Sequence, residues 1–490
     1  MELVDNYDQK KNATRILDEL RNSGVNPYPE KFDKQATLAQ VRELESGTPV
    51  ATAGRIVLLR TMGKLTFAHI QDFSGRMQIV VKEDSLGKEK YTRFLKVFGL
   101  GDHVGCKGKI FITKVGEKSI LVDELVFLAK SFLKMPEKWV GIKDQEVKYR
   151  QRYLDLIAHP DTMKAFIFRS DLIRHIREFY WKNDFFEVET PALMHQATGA
   201  IARPYITKNN ALDIDLFLRI SHELPLKELI VGGFDRVFEL GKAFRNEGVD
   251  VSHLPEHTHL EHYVAYWNYE DNMDFTEKMF RYLFEELHIP ERISTEDGGS
   301  ISLGFPWRRE NFIDLVEKET GIRVGDFHEA DALRLEIKNK KFHFEGIDTL
   351  SLAGLVDNLY KKIVRPRLIN PTFLYYYPIE LQPLARRNDT DPNIADQFQL
   401  VINGWEIVKA YSELVDPLDQ EQRFMGQADA KKKGADEVME IDRDYIKAMS
   451  YGMPPISGFG MGVDRLVALL LGKSNLRDVV LFPLLRPEGD

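Results

Sequence analysis

The sequence predicts an α+β protein in which a small all-β unit, a barrel or a sandwich, precedes a larger domain built on a central antiparallel sheet flanked by helices. Three observations predict it. Between Val50 and Leu128, short β-like runs such as "LTFAHIQD" and "RMQIVV" follow one another, most of them separated by glycine-containing turns. Farther on, "DRVFELGKAFR" and "HLEHYVAY" alternate between two faces and are joined by a polar loop, as in a hairpin. Helical stretches lie among the strands without a regular strand–helix–strand alternation, which argues against a parallel sheet.

Each element follows in chain order. Residues 8–24, "DQKKNATRILDELRNSG", read as an amphipathic helix ended by Gly24, before the breaker-rich "VNPYPEKFD". After the β-rich unit, residues 132–156, "FLKMPEKWVGIKDQEVKYRQRYLDL", form a connection containing Pro and Trp that leads into a charged helix. The boundary is placed there, near residue 145, which divides the chain into 1–145 and 146–490. Residues 163–185 read as a helix, and mainly helical, charge-rich sequence at about 271–365 looks like an insertion between sheet strands.

Composition narrows the class of protein. At 490 residues, 43% hydrophobic and 29% charged, the chain has the make-up of an ordinary globular protein of two or three domains. No eighteen-residue apolar run suggests a membrane span, and "MELVDNYDQKKNATRI" has no apolar secretory core. The lone Cys106 reads as a small buried hydrophobe and points to a reducing cytoplasm. A net charge of -9 excludes a uniformly basic surface but leaves room for local strips that bind nucleic acid.

The stretch "SHLPEHTHLEH", 252–262, concentrates His253, His257, His259 and His262 beside Glu256 and Glu261. Literally, 253–257 is the H-x-x-E-H pattern of inverted zinc peptidases, which needs a helix. Pro255 at its centre costs a helix about 3 kcal/mol, so a loop is expected and zinc is not. Beyond the loop, strand alternation sends His259 and His262 to opposite faces, so no single metal can gather all four histidines. The outgoing strand sets Glu239, Gly241, Ala243 and Arg245 on one nearly bare face, where Arg245 is placed to clamp a phosphate or carboxylate. In the expected register Glu261 and Tyr263 share that face, and an anion clamp beside a carboxylate suits an amino acid meeting a nucleotide.

Three segments then carry a resemblance to the class II aminoacyl-tRNA synthetases. "FFEVETPAL" with Pro191 resembles motif 1, "FELGKAFRNEGVDVSHLPEHT" motif 2, and "GFGMGVDRLVALLLG" with Arg465 motif 3. Within the class the chain is similar to the lysine-specific branch from about residue 10 to 487, through "GRIVLLRTMGKLTFAHIQDFSGRMQIVV", "ELQPLARR" and "EIVKAYSELVDPLDQEQRF". The resemblance implies an OB-fold anticodon-binding barrel before a class II catalytic domain. It also implies a homodimer without membrane attachment, with L-lysine, ATP and tRNA(Lys) as partners and Mg²⁺ as cofactor.

It further implies site residues. Arg245 and Arg465 would be the catalytic pair. ATP would be held by Arg245, Glu247, His253, His257, Glu406 and Arg465. Lysine would meet Gly199, Glu223, Glu261, Tyr263, Tyr411 and Glu413, and magnesium would meet Glu406, Gln399 and Glu413. Phe67 and Gln78 would read an anticodon base. Three positions depart from the family pattern: His257 stands for an adenine-stacking phenylalanine, Gln399 for a metal-facing glutamate, and Lys409 for an asparagine near the lysine carboxylate. A titrating His257 would make ATP binding depend on pH. The alternatives are an aspartate or asparagine ligase, which an acidic slot opposes, and a non-catalytic tRNA-binding paralogue.

Overall fold

The computed structural model describes residues 7–133, 135, 142–200, 202–248, 250–432 and 441–487. They fall into two compact units, Met1–Met163 and Lys164–Asp490. That division lies beyond the boundary expected near 145, because the short helices Gln145–Arg150 and Arg152–Ala158 group with the first unit. The Pro and Trp of the connection, at 136 and 139, lie outside the described residues.

In the first unit the helix Tyr7–Asn22 ends before Gly24, whose φ of 74° stops it. Strands β1 (Pro49–Met62), β2 (Leu65–Asp72), β3 (Gly75–Lys82), β4 (His103–Ile112) and β5 (Lys118–Ala129) close a barrel in the order β1-β2-β3-β5-β4. The alternation read in "LTFAHIQD" is seen directly: Ala68 and Ile70 are buried in the barrel core with Met77, Ile79 and Val81. Cys106 is fully buried among them, and burial pushes its thiol up to about 12, so it serves as an inert hydrophobe.

The second unit is built on an eight-stranded sheet. Its strands are β6 (Phe186–Glu187), β10 (Arg236–Phe244), β11 (Glu256–Ala265), β14 (Arg308–Asn311), β15 (Thr372–Pro378), β16 (Ile394–Ile402), β17 (Trp405–Ser412) and β18 (Ile456–Gly462). Their order is β14-β15-β16-β17-β18-β11-β10-β6. The central pairings are antiparallel as expected, whereas the outer pairs β14–β15 and β10–β6 are parallel, so the sheet is mixed. Two smaller sheets, β7 (Leu193–Met194) with β9 (Ile214–Leu218) and β8 (Ile206–Asn209), and β12 (Arg292–Ser294) with β13 (Ser300–Ser302), complete the strands.

One face of the large sheet packs on the helices Pro160–Lys182, Tyr269–Glu286 and Val463–Leu470 through Phe179, Tyr180, Met279, Phe280, Leu466 and Phe459. The helix Tyr269–Glu286 therefore belongs to the main core, and the insertion expected at 271–365 starts later. The segment that stands apart is the helical crossover between β14 and β15, with its own core of Phe312, Leu315, Leu333, Ile337, Leu355 and Leu359. No helix among the described residues is long and apolar enough to cross a membrane.

Candidate active site

The β10–β11 hairpin forms in the register read from the sequence, with Glu239 opposite Glu261, Gly241 opposite His259 and Val237 opposite Tyr263. Strand β18 runs beside β11 and brings Gly460 opposite Glu261 and Gly458 opposite Tyr263. On its other side β17 sets Lys409 against Gly460 and Tyr411 against Gly458. The bare glycines keep a floor open between two walls of side chains. A Cβ on Gly458 would collide with Glu413 Oε1 and lie 2.5 Å from Tyr263 Cε1.

Above that floor lies a cleft of about 780 Å³. It brings together Gly199, Glu223, Arg245, Glu247, His253, His257, Glu261, Tyr263, Gln399, Glu406, Lys409, Tyr411 and Arg465. Glu413 is fully buried behind the Gly458 floor rather than on the lining. Phe67 and Gln78 belong to the other unit and are described with the barrel below.

Arg245 follows β10, its backbone N–H donating to Pro255 O at 2.8 Å, so the loop that carries Pro255 fixes where the guanidinium starts. Arg465, on the first turn of the helix Val463–Leu470, donates from Nη1 to the Glu406 carbonyl at 3.1 Å. His253 is exposed, with Nδ1 3.0 Å from Asp250 Oδ2. Burial, then the nearby charges of Arg245 and His259, lower His257 to about 2. Its ring is therefore kept neutral at ordinary pH, which speaks against the pH-dependent contact expected from the sequence. His262 points away from the cleft as the alternation required, stacked on Phe459 at 4.5 Å, its Nε2 donating to Asn272 Oδ1 at 3.0 Å and its Nδ1 accepting from the Tyr180 hydroxyl at 2.7 Å.

The far end of the cleft holds a group that the sequence reading missed. Lys227 is fully buried, with Nζ 2.6 Å from Glu223 Oε1 and 2.5 Å from Glu413 Oε2. The rings of Tyr263, Tyr411 and Tyr445 each lie 5.8 Å from its ammonium, and the Tyr411 hydroxyl donates to Glu223 at 2.8 Å. Burial alone would lower the Lys227 ammonium, but Glu223 and Glu413 raise it above the usual lysine range. Burial drives the Glu413 carboxyl up, against the pull of Lys227. The signal was present in "ELPLKELIV": one lysine, four residues after Glu223, flanked by Leu226 and in a helix that packs Leu226 and Ile230 on β10 and β11.

This arrangement corrects the magnesium set. Glu413 is buried behind the Gly458 floor with Oε2 on the Lys227 ammonium, which sets it off the cleft lining where Glu406 stands and speaks against it as a magnesium ligand. Gln399 already accepts hydroxyl hydrogens from Tyr377 at 2.9 Å and Tyr360 at 3.3 Å, which uses both lone pairs of its carbonyl. Glu406 lines the cleft with its carboxylate and is the member of the three whose chemistry fits a hard cation. A different group was not foreseen: His222, His259 and Glu261 bring ligand atoms within 4.8 Å of one another. Burial would raise the Glu261 carboxyl, but hydrogen bonds from His222 and His259 hold it well below the usual range.

In the barrel unit, Phe67 is half-buried and Gln78 buried, on one face of β2 and β3 where His69 pairs with Gln78. The Gln78 amide is held by Glu117 Oε2 at 2.8 Å and accepts from Ser119 Oγ at 2.7 Å. His69, 3.3 Å from Gln78, and Glu117 extend the polar surface beyond the two residues read from the sequence. Polar groups beside a ring on an open barrel face suit an unstacked base.

Comparison with known proteins assigns a family to each part of the chain, with the second match beginning at 144, close to the boundary expected from the sequence. Residues 144–486 match a family model described as tRNA synthetases class II (D, K and N), and residues 50–128 match an OB-fold nucleic acid binding domain. The chain is 44% identical to a lysine–tRNA ligase of Fervidobacterium nodosum, over 97% of this chain and 93% of that one. It is 45% identical to a lysine–tRNA ligase of Aquifex aeolicus, over 90% and 73%, and 44% identical to that of Campylobacter hominis, over 96% of each. The chain thus belongs to the class II tRNA synthetases of the D, K and N group, an OB-fold domain preceding its catalytic core.

Proposed function

We propose that the chain is a lysine–tRNA ligase, which activates L-lysine with ATP to lysyl-adenylate and transfers the lysine to the 3′-terminal ribose of tRNA(Lys). The observation that carries this reading is the buried acidic end of the cleft. There Glu223 and Glu413 present two carboxyl groups to the single ammonium of Lys227, leaving acidic oxygens that this one cation does not match among Tyr263, Tyr411 and Tyr445. The side-chain ammonium of lysine would meet those oxygens as a second cation, an aspartate side chain would bring a further carboxylate against them, and asparagine would bring no charge to match them.

In activation a carboxylate oxygen of lysine attacks the α-phosphorus of ATP and pyrophosphate leaves. In transfer a ribose hydroxyl attacks the lysyl carbonyl and AMP leaves. Neither step needs a protein nucleophile, so the chain's work is positioning and electrostatic stabilisation. Arg245 stabilises charge at the α-phosphate, while His253 and Arg465 hold the outer phosphates. Glu247 and the loop after it hold the adenine, with His257 against its face. Glu261 takes the α-ammonium, and the Gly199 backbone closes over it. Magnesium held by Glu406 supplies charge neutralisation on the phosphates when bound.

A homodimer in the cytoplasm completes the reading. Apolar side chains at Phe186, Leu193 and Ile206, 63%, 50% and 66% exposed on short strands, offer the surface a second copy would cover. A non-catalytic paralogue is disfavoured because Arg245, Glu406 and Arg465 all line one cleft.

The deciding experiment is ATP–pyrophosphate exchange with each amino acid in turn. Lysine-dependent exchange is expected; silence with every amino acid overturns the reading. Two narrower outcomes accompany it. Substitution His257→Phe lowers the KM for ATP, because a larger ring covers more of the adenine face, and in the parent chain this KM shows no titration of His257 between about pH 6 and 8. An unchanged KM in the variant would remove His257 from the adenine site. Phe67→Ala weakens tRNA(Lys) binding by about tenfold to a hundredfold, the size of one base–ring stack of about 1–3 kcal/mol, with lysine activation unchanged. Filter binding and pyrophosphate exchange separate the two effects.

A further inference from the structure

One wall of the cleft poses a hydrogen-bonding problem. Glu261 Oε1 lies 3.0 Å from His259 Nδ1 and 3.4 Å from His222 Nδ1, and it also accepts from Ser221 Oγ at 2.8 Å and the His222 backbone N–H at 3.1 Å. With both imidazoles protonated at Nδ1, four donors converge on one carboxylate oxygen, which has room for about two or three. If its hydrogen is on Nδ1, His222 is left with a bare Nε2, which is buried, has no hydrogen-bond partner and lies 3.7 Å from Glu239 Oε1. Two lone pairs then face each other in a site without water access.

A cation resolves both faults. Ligands on a tetrahedral ion with bonds of about 2.0–2.2 Å sit about 3.3–3.5 Å apart, close to the separations between Oε1 and the two Nδ1 atoms. With both Nδ1 atoms as ligands, the ring hydrogens move to Nε2, and that of His222 then faces Glu239. A carboxylate behind a metal-binding imidazole is the usual support for such a ligand. The hydrogens shift between nitrogens of one ring, so no proton is lost from either histidine. Glycines provide the space: a Cβ on Gly241 would lie 3.0 Å from His222 Nε2, and one on Gly460 3.4 Å from His259 Nε2.

We propose that His222, His259 and Glu261 bind a divalent transition cation with the ligand preference of zinc, and that the bound ion keeps the amino acid's α-ammonium off Glu261. The site stands on geometry alone; the exclusion rests on the ligase reading, in which Glu261 takes that ammonium. Two imidazoles select zinc, cobalt or nickel over magnesium, which prefers an all-oxygen shell, so the ATP-associated ion does not compete here.

Cobalt(II), titrated into the full chain after chelator treatment, tests the site by its visible absorption. About one cobalt per chain, displaced by zinc, is expected, with the band lost in His222→Gln/His259→Gln and in His259→Met alone. Circular dichroism confirms that these variants are folded. The band is kept in His343→Ala, which removes an exposed histidine elsewhere. Binding that is absent, or that survives in the folded variants, overturns the site. L-Lysine added to the cobalt form then raises the apparent Kd for cobalt at least tenfold. An unchanged Kd overturns the exclusion while leaving the site intact. Failure of lysine-dependent pyrophosphate exchange in the metal-free chain would instead overturn the ligase reading.

Discussion

Replacing Lys227 by methionine is expected to destabilise the catalytic unit by about 3–5 kcal/mol, the range for removing one partner from a buried ion pair. The lysine is fully buried with carboxylate oxygens at 2.5 and 2.6 Å, so its loss strands the fully buried Glu413 and removes the cation beside Glu223 at the end of the cleft. Urea unfolding followed by the fluorescence of the catalytic unit measures it. The double substitution Lys227→Met/Glu413→Gln should recover part of the loss, because one stranded charge has gone with the ammonium. A midpoint unchanged in the single variant would mean that the three charges are not coupled as their distances require.

The second large effect is on rate rather than stability. Arg245→Ala should slow lysine-dependent pyrophosphate exchange by about a hundredfold to a thousandfold, the cost of removing one preorganised group from a developing charge. Arg245 is only half-buried, so the unfolding midpoint should barely move. Stopped-flow measurement of adenylate formation places the effect. A fall in kcat with little change in the lysine KM identifies an interaction made in the transition state, whereas a change in ATP KM alone would reduce Arg245 to a binding residue.

How far these residues were readable depended on whether one element carried the information. The faces of the β10–β11 hairpin were legible, because alternation fixes them within each strand, and so His259 and His262 were separated correctly; the eleven residues between the strands, 245–255, leave the register to packing. The loop that Pro255 demanded was legible for the same local reason. Lys227 was not, since nothing in a single helix tells which carboxylate of a distant strand will lie 2.5 Å from its ammonium. The meeting of His222 with His259 at Glu261 was hidden likewise, as was the burial of Glu413 behind the floor of the cleft. The start of the crossover was misread because the helix Tyr269–Glu286 has an amphipathic pattern that suits either a core or an appended lobe; only packing on the sheet decided it. In the barrel, the strands were legible, but the partners of Gln78 came from β2 and from the turn before β5, beyond the reach of a local pattern.

Strand β11 exposes alternate residues to two different demands. His257, His259, Glu261 and Tyr263 meet whatever enters the cleft, whereas Leu260, His262 and Val264 meet the core beneath. Because the pleat separates these sets, drift in one need not be answered by drift in the other. A substitution toward the cleft can therefore change what the protein discriminates while the side chains beneath keep their packing.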